Sequence, residues 1–121
     1  MTANPPGPGS TPPLRHQRRY PRCVVDMRVL VQVFRSGNFE SIWGRSHEIG
    51  EDGISATLTG RLESGEVVSM EFTLPVATET VKLRAAVRYH SGFRYGFEFL
   101  TLSDAQRETI HRALQVLPDQ P

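Results

Sequence analysis

Sulfur chemistry is scarce in this sequence: Cys23 is its single cysteine, which excludes an internal disulfide and leaves too few thiolates for a zinc or iron–sulfur site. A lone thiol fits a reducing cytoplasm, with a buried structural role for Cys23 as the default. Long apolar runs are lacking as well. No window approaches the roughly twenty apolar residues of a spanning helix, and the start lacks the apolar stretch of about 7–15 residues that marks a signal peptide. Neither secretion nor membrane insertion is therefore expected. Nor does one sign of charge dominate: 14 Lys and Arg against 13 Asp and Glu leave a net charge of +1. Attraction for an anion must then come from clustering and not from bulk charge. His16, His47, His90 and His111 are dispersed without metal-site spacing. No nucleophile elbow or Walker-type loop is present, so neither a metal nor an enzyme is expected.

What is present fits one soluble domain, since 121 residues with 38% hydrophobic and 22% charged content match an ordinary globular composition. Residues 1–14 hold five of the nine prolines, with Gly7 and Gly9 between them. That composition builds no core and reads as a disordered leader. From Val25 the pattern changes. Val25, Met27, Val29, Val31 and Val33 alternate with residues such as Asp26, Arg28 and Gln32, a period of two that signals a strand. Ser36-Gly37-Asn38 reads as a turn, and a second extended run follows over 39–48. Further strands are expected over 54–59, 66–74, 80–90 and 93–100, separated by Gly60, Gly65, Pro75 and Ser91-Gly92. Six short strands at regular spacing suggest a small barrel or sandwich, with Trp43, Phe97 and Phe99 filling it.

The C-terminal end has a different period. Ser103 with Gln106 three residues later is a capping-box signature, and Leu102 before the cap is placed for a hydrophobic staple. Ile110, Ala113, Leu114 and Leu117 then form one apolar stripe that suits a helix closing over the β-core. The expected helix covers 103–117 and stops before Pro118, leaving 118–121 as a tail.

The densest basic segment is Arg15-His16-Gln17-Arg18-Arg19-Tyr20-Pro21-Arg22, directly before the first strand. A guanidinium is a planar fork that pairs bidentately with phosphate or with the O6 and N7 edge of guanine, and its face stacks on a purine. An arginine-rich arm over 15–22 therefore suits a guanine nucleotide. Pro21 prevents a regular helix through Arg22, which leaves a bent arm able to fold around a ligand.

Arg18-Arg19-Tyr20-Pro21-Arg22 before a hydrophobic strand resembles the RxxxR motif that opens PilZ domains, with Arg18 and Arg22 at the motif positions. The family's second motif, (D/N)xSxxG, is matched in frame by Glu48-Ile49-Gly50-Glu51-Asp52-Gly53. Val87-Arg88-Tyr89 and Arg94-Tyr95-Gly96-Phe97-Glu98-Phe99-Leu100 resemble the last two barrel strands of that family, and the following helix fits as well. The resemblance implies a mostly β fold, a six-stranded antiparallel barrel over 23–101 with a C-terminal α-helix. It implies cyclic di-GMP as the ligand, held between arm and barrel. By the same resemblance Arg18 and Arg22 contact guanine edges and phosphates, and Arg19 adds a phosphate or stacking contact. Glu48, Gly50 and Gly53 form the segment that holds the base's N1 and N2 edge, and Tyr89 supplies an aromatic contact. The implied role is a receptor or adaptor that relays the signal to an unidentified protein effector.

The second motif departs from the family pattern in two places. Glu48 keeps a carboxylate where Asp or Asn is usual, one methylene further out and with more rotamer freedom to lose. Gly50 lacks the serine hydroxyl, a hydrogen bond worth about 0.5–1.5 kcal/mol. Glu51 and Asp52 add negative charge beside a ligand with two phosphates. These departures define the alternative, a degenerate PilZ-like interaction adaptor that does not bind cyclic di-GMP. No DNA or RNA is expected as a partner, because the strands lack the aromatic series on which single-stranded nucleic acid stacks.

Overall fold

The computed structural model of the protein describes residues 22–75 and 78–119. Seven strands precede one helix: β1 (Arg22–Val24), β2 (Arg28–Arg35), β3 (Asn38–Gly50), β4 (Gly53–Leu58), β5 (Val67–Thr73), β6 (Thr80–Ser91), β7 (Arg94–Thr101) and α1 (Asp104–Leu114). Six of them close into an antiparallel barrel in the order β3-β2-β5-β6-β7-β4, with β4 pairing back onto β3. The short β1 adds to β3 outside that ring. Closure leaves the six barrel strands no free edges and turns every second side chain inward.

The alternation read from the sequence sets the core. Val29, Val31 and Val33 of β2 are buried, as are Met70 and Phe72 of β5 and Phe97 and Phe99 of β7. Tyr95 is buried with them, and its hydroxyl accepts a hydrogen bond from the Leu62 backbone N–H at 3.0 Å, which satisfies its polar end. Trp43 does not fill the barrel. Register pairs it with Leu30 while Ile42 pairs with Val31, so Ile42 takes the inner face and Trp43 the outer one. There Trp43 is 46% exposed, with the Arg28 guanidinium over its ring at 4.8 Å.

The first expected strand is divided. Val25 and Met27 are buried on the expected face, but the chain leaves regular pairing between β1 and β2. Ser46 bridges the break: its Oγ donates to the Val25 carbonyl at 2.6 Å and accepts from the Met27 N–H at 2.9 Å. The facing strand is irregular at the same level, with a register shift in the β3–β4 pairing between Ser46 and Glu48. Ser36 and Gly37 connect β2 to β3, both at positive φ, the signature of a two-residue type I′ turn.

The capping box forms, with Ser103 Oγ accepting from the Gln106 N–H at 3.1 Å and Gln106 Oε1 accepting from the Ser103 N–H at 3.0 Å. Leu102 packs on the core and does not staple the helix, because the fourth helical position is the exposed Arg107. The helix stops three residues short of 117. The N–H groups of Val116 and Leu117 both turn back to the Ala113 carbonyl, and the chain reverses so that the Pro118 carbonyl accepts from the Val24 N–H at 2.8 Å. Ile110 and Ala113 are buried, Leu114 and Leu117 partly so. The stripe therefore closes the barrel although its last member lies beyond the helix. Cys23 of β1 is buried against the helix end, its thiol 3.3 Å from the Leu114 carbonyl. Burial pushes that thiol's pKa up, and the Asp119 carboxylate adds to the shift.

Candidate ligand-binding site

Strand pairing brings the two motif regions together. In the β1–β3 ladder Arg22 faces Gly50 and Val24 faces Glu48, which puts the last arginine of the arm beside the second motif on the outer barrel surface. Arg22 Nη1 lies 3.4 Å from Glu48 Oε1, and their side chains are 25% and 11% exposed. Two buried polar atoms nearby have no hydrogen-bond partner among the described residues, Arg22 Nε and Ser55 Oγ. Ser55 of β4 stands opposite Glu48 of β3 and opposite Gly96 of β7. Since buried polar groups are normally paired, these orphans mark a surface that is polar and only partly satisfied.

A cleft of about 300 Å³ opens beside this pair, between Arg22 and Gly53 on one side and Arg88, Tyr89, Gly96 and Glu98 on the other. Two close approaches shape it. A Cβ on Gly53 would run into the Phe97 carbonyl oxygen, so glycine lets β4 and β7 meet here. A Cβ on Gly96 would run into the Tyr89 ring, so the ring lies directly on the β7 backbone. Arg88 and Glu98, both half-exposed, pair within the lining, Arg88 Nε donating to Glu98 Oε1 at 2.6 Å.

Carboxylates surround the cleft, but three of them have partners: Glu48 with Arg22, Glu98 with Arg88, and Glu51 with His111 of α1 at 3.0 Å. Asp52 has no ion pair among the described residues. Of the two carboxylates that follow Gly50, Glu51 is thus drawn to the helix. Among the described residues no cluster of three His, Cys, Asp or Glu could hold a metal, and no helix is long and apolar enough to cross a membrane.

Of the residues expected at a site, Arg22, Glu48, Gly50 and Gly53 converge. Arg18 and Arg19 lie outside the described residues. Gly50 offers backbone opposite Arg22, and Gly53 spaces two strands. Tyr89, expected as an aromatic contact, lines the cleft and is 51% exposed. Arg88, Gly96 and Glu98 were not expected there. Their placement depends on a register shift in the β6–β7 pairing between Val87 and Tyr89, and no local sequence signal announces it.

The PilZ domain family matches residues 16–115 of the chain. No curated protein matches it by sequence. Among solved structures, the PilZ domain of YcgR from Escherichia coli with c-di-GMP is similar at a TM-score of 0.68 and 18% identity, covering 84% of this chain and 92% of that one. The inhibitor of motility MotI/DgrA from Bacillus subtilis is similar at a TM-score of 0.66 and 20% identity, over 87% of this chain and 56% of that one. The MrkH–c-di-GMP complex of K. pneumonia gives a TM-score of 0.66 at 16% identity, over 83% of this chain and 52% of that one. The chain thus spans about half the length of the last two. At such identities the likeness is one of fold.

Proposed function

This chain belongs to the PilZ domain family, and we propose that it is a bacterial cytoplasmic receptor that binds cyclic di-GMP and relays the signal to a protein partner. The observation that carries this reading is the pairing of β1 with β3, which lays Arg22, a lining residue of the cleft, against Glu48 and Gly50. Two of the similar structures are named as holding c-di-GMP, which supports the same ligand here.

Residues 15–117 act as the binding domain in this reading, and the leader over 1–14 takes no part. Arg22, with Arg18 and Arg19 of the arm, supplies forked donors to phosphate and to the guanine O6 and N7 edge. Glu48 accepts from the guanine N1–H and N2–H groups, which a carboxylate can do with two oxygens. The Arg22–Glu48 contact, at 3.4 Å, is long for an N–H···O bond, so ligand contacts that replace it give up only a weak hydrogen bond. Gly50 and Gly53 let the ligand approach the backbone. The role is binding and not catalysis.

Calorimetric titration with cyclic di-GMP at physiological salt tests this, alongside Arg18→Ala, Arg22→Ala and the adenine analogue. Micromolar or tighter binding is expected, lost with either arginine and absent for the analogue. No binding at hundreds of micromolar ligand would overturn the reading and favour a ligand-free adaptor, in which Glu48 closes on Arg22 and the missing hydroxyl at Gly50 has no consequence.

A further inference from the structure

We propose that Arg88, which lines the same cleft as Arg22, is a second base-reading arginine that takes the guanine N7 edge, with Glu98 as its positioning residue. The inference rests on the cyclic di-GMP reading and adds to it a contact that neither motif contains.

Three observations carry it. First, β6 is bulged where Arg88 stands: Val87 pairs with Phe97, yet Tyr89 pairs with the very next residue, Gly96. In a regular strand Arg88 and Tyr89 would point to opposite faces. Here both are exposed, because a bulge re-aims side chains in this way. Second, Glu98 engages Arg88 through Nε at 2.6 Å, and the terminal amino groups of the guanidinium carry no hydrogen bond among the described residues. The side chain is thus oriented and its forked donor edge remains available. Third, the adjacent Tyr89 ring lies against Gly96 and is 51% exposed. A base stacked on that ring would present its edge beside the Arg88 donors. Arg88 and Arg22 line the same cleft, so one ligand can touch both.

The chemistry suits a purine with acceptors at O6 and N7, which guanine has and adenine lacks at position 6. It also suits this sequence in particular, since the hydroxyl absent at Gly50 removes one donor and Arg88 supplies another.

The test is a double-mutant cycle by calorimetry on the full chain, using cyclic di-GMP and its 7-deaza analogue, which lacks N7, with folding checked by circular dichroism. The unaltered chain is expected to bind the analogue about tenfold more weakly. Arg88→Ala should bind cyclic di-GMP about ten- to hundredfold more weakly and should distinguish the two ligands less than the unaltered chain does, the arm arginines keeping the remainder. Arg88→Lys, which keeps charge without the fork, should lose the same share of the discrimination. Glu98→Gln should lose part of it with Arg88 intact. Equal and additive losses for both ligands would place Arg88 on phosphate and overturn the inference, as would unchanged binding. If Arg22→Ala abolishes binding while Arg88→Ala changes nothing, the receptor reading stands and this inference alone falls. If the unaltered chain binds neither ligand, both fall.

Discussion

Arg22 and Glu48, 26 residues apart in the chain, meet at 3.4 Å on the outside of the barrel, and each belongs to a different one of the two short motifs read from the sequence. The carboxylate that departs from the family pattern is the one that reaches the arginine. Its extra methylene is what a glutamate adds over an aspartate, so the pair is a property of this sequence. In the proposed cyclic di-GMP reading, Glu48 then has two competing partners, Arg22 in the empty site and a guanine edge in the filled one.

That competition predicts the effect of restoring the usual residues. Glu48→Asp shortens the reach toward Arg22 and removes rotamer freedom, and Gly50→Ser returns a hydroxyl worth about 0.5–1.5 kcal/mol. Each change should tighten cyclic di-GMP binding, together by about tenfold or more, in calorimetric titration. An unchanged dissociation constant in the double variant would remove the second motif from the binding account.

The two close-approach glycines should separate stability from binding. Gly53→Ala drives a methyl into the Phe97 carbonyl between two barrel strands, where backbone must shift. A loss of about 1–3 kcal/mol in urea denaturation is expected. Gly96→Ala meets the Tyr89 side chain first, which can rotate away. Its stability should stay within about 1 kcal/mol of the parent, while ligand affinity falls because the ring has left the β7 surface.

Ser36 sits at φ 51° in the β2–β3 turn, a left-handed conformation that costs a serine about 1–2 kcal/mol and that asparagine tolerates better. Ser36→Asn makes the turn Asn-Gly, the preferred type I′ pair. Thermal and urea denaturation should both show a gain of about 0.5–1 kcal/mol with no change in ligand binding.

Glu66, the residue before β5, is hydrogen-bonded to the last residue of β2, Arg35. Its Oε2 accepts from Arg35 Nε at 3.2 Å, and its Oε1 accepts from Arg35 Nη2 at 3.1 Å and from the Glu63 N–H at 2.9 Å. The Arg35 hydrogen bonds hold its carboxyl below the ordinary glutamate value, helped by the Glu63 N–H and opposed by burial. A depressed folded-state pKa means that the unfolded chain takes up its proton first as pH falls. The contribution of this group is then fully present above about pH 4.5 and is lost below it, down through the folded value. Denaturation midpoints measured between pH 7 and 3 should fall less steeply in Glu66→Gln than in the parent. An identical slope would show that other carboxylates carry the acid response.

The sequence by itself determined the parts whose signal is local. Alternation at Val29, Val31 and Val33 decided which face of β2 is buried, Ser103 and Gln106 decided where the helix starts, and Ser36-Gly37 decided the hairpin. Each is a preference of a few neighbouring residues, written in their order. The tertiary structure alone decided what depends on register and closure. Trp43 faces solvent because it pairs with Leu30 and not with Val31. The strand expected from Val25 divides because Ser46, on another strand, satisfies the backbone at the break. Arg88 enters the cleft because one residue is left over in the pairing of β6 with β7, and Glu48 finds Arg22 because β1 adds to β3 at that register. Such contacts join residues distant in the chain, and a shift of one place in pairing reverses the face each side chain takes. For that reason the motifs were legible in the sequence, whereas the site they form together was not.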